Sequence, residues 1–125
     1  SLVATRMAVG RTAIFSMDVA INQDLKAIFP HPELLSSEYL FHFLRSSEKA
    51  LAAKSTGSTV KGIRLEDLEQ LHVVIPSVTK QKRIAEILSG VDEQMAALLE
   101  LEKKYVSLKS ALSSDLLSSR KRVSI

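Results

Sequence analysis

Two segments of the chain combine cations with turn-forming or hydroxyl residues. Arginines flank a predicted turn at residues 7–10, and lysines flank a serine- and threonine-rich segment at 55–59. Cations, hydroxyls and backbone N–H groups together can bind phosphate oxygens and base edges. Because such loops are common on protein surfaces, this combination by itself is a weak indication of binding. The candidate residues for these contacts are Arg6, Arg11, Lys54, Ser55, Thr56, Ser58, Thr59 and Lys61.

Residues suited to catalysis are few. The three histidines are far apart, and none is spaced with another like a pair of metal ligands. We expect His31, between two prolines, to lie in an exposed turn and His42 to lie on a helix surface. The chain has no cysteine, no phosphate-binding glycine loop and no nucleophile motif. We therefore predict no catalysis, no metal and no cofactor.

Composition narrows the class of protein further. The chain has 125 residues, of which 46% are hydrophobic and 25% charged, and its formal net charge is +3. These values predict one compact domain with a modest core, or a smaller domain with an extended element. No apolar run could span a membrane, and the lack of cysteine fits a reducing compartment, so we expect a cytoplasmic location. Since Ser1 falls inside a predicted strand, we interpret the chain as a piece of a longer protein.

Short strands and helices are predicted for the first two thirds of the chain, which indicates an α/β fold of the α+β kind. Apolar runs bounded by turn residues indicate the strands, and apolar residues at helical spacing indicate the helices. Ser36 or Ser37 is the predicted N-cap of the longer helix. The predicted elements are strands at residues 1–5, 11–15, 25–29, 60–63 and 72–75, a helix at 37–54, and a short helix or turn at 64–71.

The sequence of the last third of the chain predicts one long helix that forms a coiled coil. Residues 79–118 contain no proline and one glycine, and apolar residues recur at heptad positions a and d, with polar Gln94 and Asp115 at two d positions. Such a helix, roughly 55 Å long, exceeds the diameter of so small a domain. We favour pairing with a second helix, from another chain or a missing part of this one, over packing on its own domain. The predicted pairing residues are Ile84, Ile87, Val91, Leu98, Leu101, Tyr105, Leu108 and Leu112.

Several motifs follow one another in a definite order along the chain. They are Thr5-Arg6, the segments 9–11 and 20–25, the hydroxyl-rich segment 55–63, Leu65, Leu68, the segment 72–76 ending in proline, Gln81, Ile84-Ala85, Leu88 and Asp92. In this order they resemble the specificity subunit of type I restriction-modification systems, over essentially all 125 residues. One difference is that the family usually has Glu-Gln where this chain has Lys80-Gln81.

The resemblance implies a division of the chain and a role for each part. Residues 1–78 would be a partial DNA target recognition domain, and residues 79–125 the conserved spacer helix. The family has further residues before the point where this chain starts. A specificity subunit is not itself catalytic; it binds double-stranded DNA and directs an adenine methyltransferase (modification) subunit, and through it the restriction subunit, to a bipartite site. Two spacer helices pack antiparallel, so self-association or pairing with a second spacer helix is expected.

A different class of protein also fits the residues. An oligomerisation or adaptor module, with a small α/β head and a coiled-coil tail, would form the same dimer. It would not bind DNA in a salt-sensitive way.

Overall fold

The computed structural model describes residues 2–6, 11–23, 25–55 and 65–118, with side chains described at 11–23, 25–53 and 65–118. The chain divides into two compact units, Ser1–Leu88 and Ser89–Ile125. The first unit contains a small sheet, two helices and the first turns of a third helix. The second consists, in its described part, of the rest of that third helix.

Three strands form an antiparallel sheet in the first unit. They are β1 (Leu2–Arg6), β2 (Thr12–Phe15) and β3 (Leu25–Ile28), in the order β2-β1-β3. The central strand β1 pairs with both neighbours, so that Val3 lies opposite Ile14 on one side and Ile28 on the other. The three strands predicted in this part of the chain are confirmed to within one residue at each end.

The helix α1 (Ser37–Ser55) follows two prolines that cannot continue β3. Its N-cap is Ser36, whose Oγ accepts the Tyr39 N–H at 3.1 Å. This hydrogen bond decides between the two serines that the sequence offered. Glu38 lies in the first turn, where a carboxylate is favoured by the helix dipole.

One face of α1 forms the core of the first unit. Leu40, Leu44 and Leu51 are buried, with at most 4% of each residue exposed, and their spacing places them on one side of the helix. The half-buried residues packed against Leu40 and Leu44 are Ile14, Ile28, Leu35, Phe41, Phe43 and Leu71. Because this set includes residues of β2 and β3, the core lies between α1 and the sheet.

The segment between the second and third helices is irregular, which corrects one prediction. Helix α2 (Leu65–Glu69) is followed by residues 71–77 without regular structure, whereas the sequence predicted a strand at 72–75. The Val74 carbonyl accepts a hydrogen bond from Tyr39 Oη at 2.8 Å, and the Val74 side chain is 77% exposed. A side chain thus supplies the bond that a neighbouring strand would have made. The strand predicted at 60–63 lies outside the described residues.

The helix α3 (Val78–Leu117) is 40 residues long and confirms the predicted long helix within one residue at each end. The fold class is α+β with one long C-terminal helix, as the sequence predicted. In the part of the chain that the structure describes, no helix is both long and apolar enough to cross a membrane.

Candidate DNA-binding turns and helix-pairing surface

The first predicted contact segment lies at one end of the sheet. Arg6 is the last residue of β1 and Arg11 directly precedes β2. Because Thr5 pairs with Thr12 across the two strands, the backbones at Arg6 and Arg11 leave the same end of the sheet. The side chain of Arg11 is exposed. The sequence prediction that these two arginines flank one turn is therefore consistent with the strand register.

The second predicted contact segment begins at the C-terminal end of α1, a helix that lies beside β2. Glu48 of α1 accepts the Thr12 N–H through Oε1 at 3.3 Å, so the start of β2 lies beside the second half of α1. Helix α1 then ends at Ser55, about 10 Å further along its axis. The structure does not describe the side chains of Arg6, Lys54 and Ser55. The remaining candidates lie wholly outside the described residues; they are Thr56, Ser58, Thr59 and Lys61.

The histidines have unrelated surroundings. His31 is exposed and its carbonyl accepts the Leu34 and Leu35 N–H groups, which confirms the predicted turn. His42 is only 9% exposed, so the prediction that it lies on the helix surface is wrong. Its ring meets the Phe41 ring at an angle of 64°, with 5.1 Å between the centroids. Among the described residues, no three His, Asp or Glu side chains form a group that could hold a metal ion.

Gln81 joins three segments of the first unit, a role that the sequence analysis did not assign. The residue is fully buried, and its Oε1 accepts the Ser36 N–H at 2.8 Å. Its Nε2 donates to the carbonyl oxygens of Leu34 and Pro76, each at 2.8 Å. A signal was available, since Gln81 precedes Ile84 by three residues and so lies at helical spacing with the apolar positions of α3.

A small groove lies between α1 and the first turns of α3. Its volume is about 190 Å³, and it lies entirely within the first unit. Most of its lining atoms are apolar, because two aromatic rings and two aliphatic side chains contribute to it. The lining residues are Tyr39, His42, Phe43, Ser46, Ile84 and Leu88.

The predicted pairing residues of α3 are all exposed. Their exposed fractions run from 39% at Ile84 to 65% at Leu98. The other members of this set are Ile87, Val91, Leu101, Tyr105, Leu108 and Leu112. An apolar surface of this length, left open along a helix, is typical of a surface that packs against a further helix or subunit.

The apolar surface of α3 is wider than the heptad prediction. Leu99 and Val106, at heptad position b, are 57% and 62% exposed and were not among the predicted residues. At 100° per residue, the apolar side chains from Leu108 round to Leu99 cover about half of the helix circumference. We call this surface the apolar face of α3. Its further members are Met95, Leu116 and Leu117.

The described residues form a small α+β unit that leads into a long helix with an open apolar face. The family of type I restriction modification DNA specificity domains matches residues 2–106. The chain belongs to this family.

Individual relatives agree with the family match. The chain is 31% identical over 100 residues to the type I restriction enzyme EcoR124I/EcoR124II specificity subunit of Escherichia coli, an alignment covering 78% of this chain and 24% of that protein. It is 26% identical over 103 residues to the putative MjaX specificity subunit of Methanocaldococcus jannaschii, covering 82% of this chain and 23% of that protein. The chain therefore spans about a quarter of the length of these relatives.

Proposed function

We propose that this chain contributes to sequence-specific recognition of double-stranded DNA in a type I restriction-modification complex. In this proposal residues 1–78 are part of a target recognition domain and residues 79–125 are a spacer helix. The observation that carries the proposal is the match of residues 2–106 to the family of type I restriction modification DNA specificity domains, and the open apolar face of α3 agrees with a helix that packs against another. The chain performs no reaction itself. It directs the modification subunit, an adenine methyltransferase, and through it the restriction subunit, to a bipartite site.

The two contact segments support a DNA-binding role for the first unit. Arg11 is exposed beside β2, and the Glu48 to Thr12 hydrogen bond holds the C-terminal half of α1 next to it. Cations and hydroxyls on adjoining segments can contact successive phosphates and position side chains against base edges. The eight candidate residues stay a prediction that binding measurements must test.

The width of the apolar face supports two kinds of neighbour. A two-stranded coiled coil needs a narrow seam of a and d positions, whereas the apolar face of α3 also includes Leu99 and Val106. We assign the a and d positions to a second spacer helix. The b positions, Leu99 and Val106, are then free to contact the modification subunit.

Helix pairing can be tested by measuring the mass of the chain in solution by light scattering. We expect a dimer, and we expect the double variant Leu98→Lys/Leu108→Lys to be a monomer, because it places two charges in the a and d seam. The matched control is Ala96→Lys/Ser107→Lys, which adds two positive charges on the opposite side of α3 and should stay dimeric. Pairing through this seam would be contradicted if the wild-type chain were a monomer. It would also be contradicted if the Leu98→Lys/Leu108→Lys variant stayed as dimeric as the control.

A further inference from the structure

We propose a specific register for the pairing of α3 with a second copy of this chain. In this register the two helices are antiparallel and Gln94 of each copy lies opposite Tyr105 of the other. The proposal rests on the proposed function, since it specifies the geometry of the same helix pair. It also assigns an occupant to the groove between α1 and α3.

The charges of α3 argue against a parallel pair. In a parallel, in-register pair each a or d residue faces its own copy. The two Asp115 carboxylates would then face each other in the seam, where Asp115 is already half-buried within one chain. Lys104 at position g would also lie beside Lys109 at the following e position of the other helix. Both contacts join like charges and are unfavourable.

In an antiparallel pair each a position faces a d position, and registers differ by whole heptads. The proposed register places the Gln94 amide, the one amide in the seam, opposite the Tyr105 hydroxyl, the one hydroxyl. These groups can form a hydrogen bond between the helices, so neither is left facing an aliphatic side chain. Asp115 falls opposite Ile84, in the last layer of the seam, where Ile84 is 39% exposed in the single chain. The remaining layers are apolar and pair Leu98 with Leu101, Val91 with Leu108, and Ile87 with Leu112.

The two neighbouring registers are less favourable. A shift by one heptad in one direction places Gln94 against Leu112 and Asp115 against Val91, both inside the seam. It also brings Glu102 to Glu102 and Lys104 to Lys104 at the flanking positions. A shift in the other direction places Gln94 against Leu98 and Lys80 against Leu112. Each alternative therefore buries polar groups against aliphatic side chains, which costs free energy.

The groove between α1 and α3 provides an independent observation. Its residues Ile84 and Leu88 lie at positions a and e, so the groove opens beside the seam on its e side. In the proposed register Leu116 of the second copy, also at position e, lies level with residue 83. Leu116 is 43% exposed in the single chain. The structure thus assigns this leucine to the apolar groove formed with Tyr39 and Phe43.

Engineered cysteines can test the register, because the chain contains no cysteine of its own. Among the antiparallel registers, only the proposed one places the two cysteines of the double variant Ile87→Cys/Leu112→Cys opposite each other between copies; the single variant Leu112→Cys, described below, detects a parallel pair. Within one helix these positions are about 37 Å apart and cannot react with each other. We expect mild oxidation to give mostly covalent dimer on a non-reducing gel and monomer after reduction. Val91→Cys/Leu108→Cys tests the same register at a second layer, and circular dichroism checks that each variant is helical.

Control variants separate the other arrangements. Among the antiparallel registers, Gln94→Cys/Leu112→Cys should cross-link only in the one shifted by one heptad. Leu112→Cys alone should cross-link only in a parallel pair. Either of these results, obtained with a dimer by light scattering, would overturn the register and leave helix pairing intact. A wild-type monomer in solution that forms no cross-link in any variant would overturn the pairing and the register together.

Discussion

Gln81 supplies a hydrogen-bond acceptor and two donated bonds at a site that water does not reach. Replacing it with leucine would leave the Ser36 N–H and the Leu34 and Pro76 carbonyls without this partner. Each of the three hydrogen bonds contributes about 0.5–1.5 kcal/mol, so we expect Gln81→Leu to lose about 1.5–4.5 kcal/mol of stability. Urea denaturation would measure this loss.

The control for that experiment is Gln70→Leu, which makes the same change at an exposed position. We expect it to alter stability by no more than about 0.5 kcal/mol. Equal losses in the two variants would contradict the role given to Gln81.

A glutamate at position 81 should make stability depend on pH. The carboxylate would be buried and would face two carbonyl oxygens, so the pKa of this introduced group is raised in the folded state. A raised folded-state pKa gives stability that is present below the unfolded pKa and is lost as the pH rises. We therefore expect Gln81→Glu to be closer to wild type at about pH 4.3, the ordinary glutamate value, than at pH 7. Denaturation at both pH values, with Gln70→Glu as the control, would check this; a deficit that does not change with pH would contradict it.

At the scale of whole elements, Gly90 is the weakest position in α3. A glycine inside a helix is less favourable than alanine by about 1 kcal/mol. A Cβ built at Gly90 meets nothing within 4 Å, so Gly90→Ala should stabilise the helix by up to that amount without a clash. Thermal unfolding followed by circular dichroism would measure it. Ala111→Gly, the reverse change at an exposed g position, should destabilise the helix similarly, and an unchanged melting temperature in both variants would refute the argument.

The helices and the sheet illustrate what the sequence predicts well. Helix α3 was predicted within one residue at each end because its heptad pattern is local and long, and α1 because its apolar spacing and N-cap are local too. The strand predicted at 72–75 was wrong because a strand needs a partner. Tyr39, 35 residues away, hydrogen-bonds the Val74 carbonyl instead.

Burial of single polar residues was the least predictable feature. His42 lies on the side of α1 opposite Leu40 and Leu44. There it contacts Phe41 and lines the groove with Ile84 and Leu88 of α3, and no local rule distinguishes this position from a surface one. Gln81 depends on main-chain atoms 45 and 47 residues away, which only the folded chain brings together. The sequence shows the order of the DNA-contact candidates along the chain. It does not show that α1 lies close to the start of β2, which is evident only from the hydrogen bond between Thr12 and Glu48, 36 residues apart.

At the scale of the whole molecule, DNA affinity should fall steeply with salt. Each phosphate contact contributes a slope of about −0.9 in the logarithm of affinity against the logarithm of salt concentration. We expect Arg11→Ala to weaken binding to duplex DNA and to reduce that slope by about one contact. Fluorescence anisotropy between about 50 and 200 mM salt would measure both quantities.

The charge-matched control is Lys103→Ala, in the second unit. Lys103 is exposed and bonded to Glu100 at 3.3 Å, so its removal should leave the slope unchanged. Binding that does not respond to salt, or no binding at the lowest salt, would favour the adaptor alternative over DNA recognition.

All three partners of Gln81 are main-chain atoms: the N–H of Ser36 and the carbonyl oxygens of Leu34 and Pro76. Every residue has a carbonyl, and every residue except proline has an N–H, whatever its side chain. These three hydrogen bonds of α3 therefore place almost no demand on the side chains of residues 34, 36 and 76. Under the proposed function, the side chains at these three positions can change together with the DNA target while the same hydrogen bonds hold α3 to the unit.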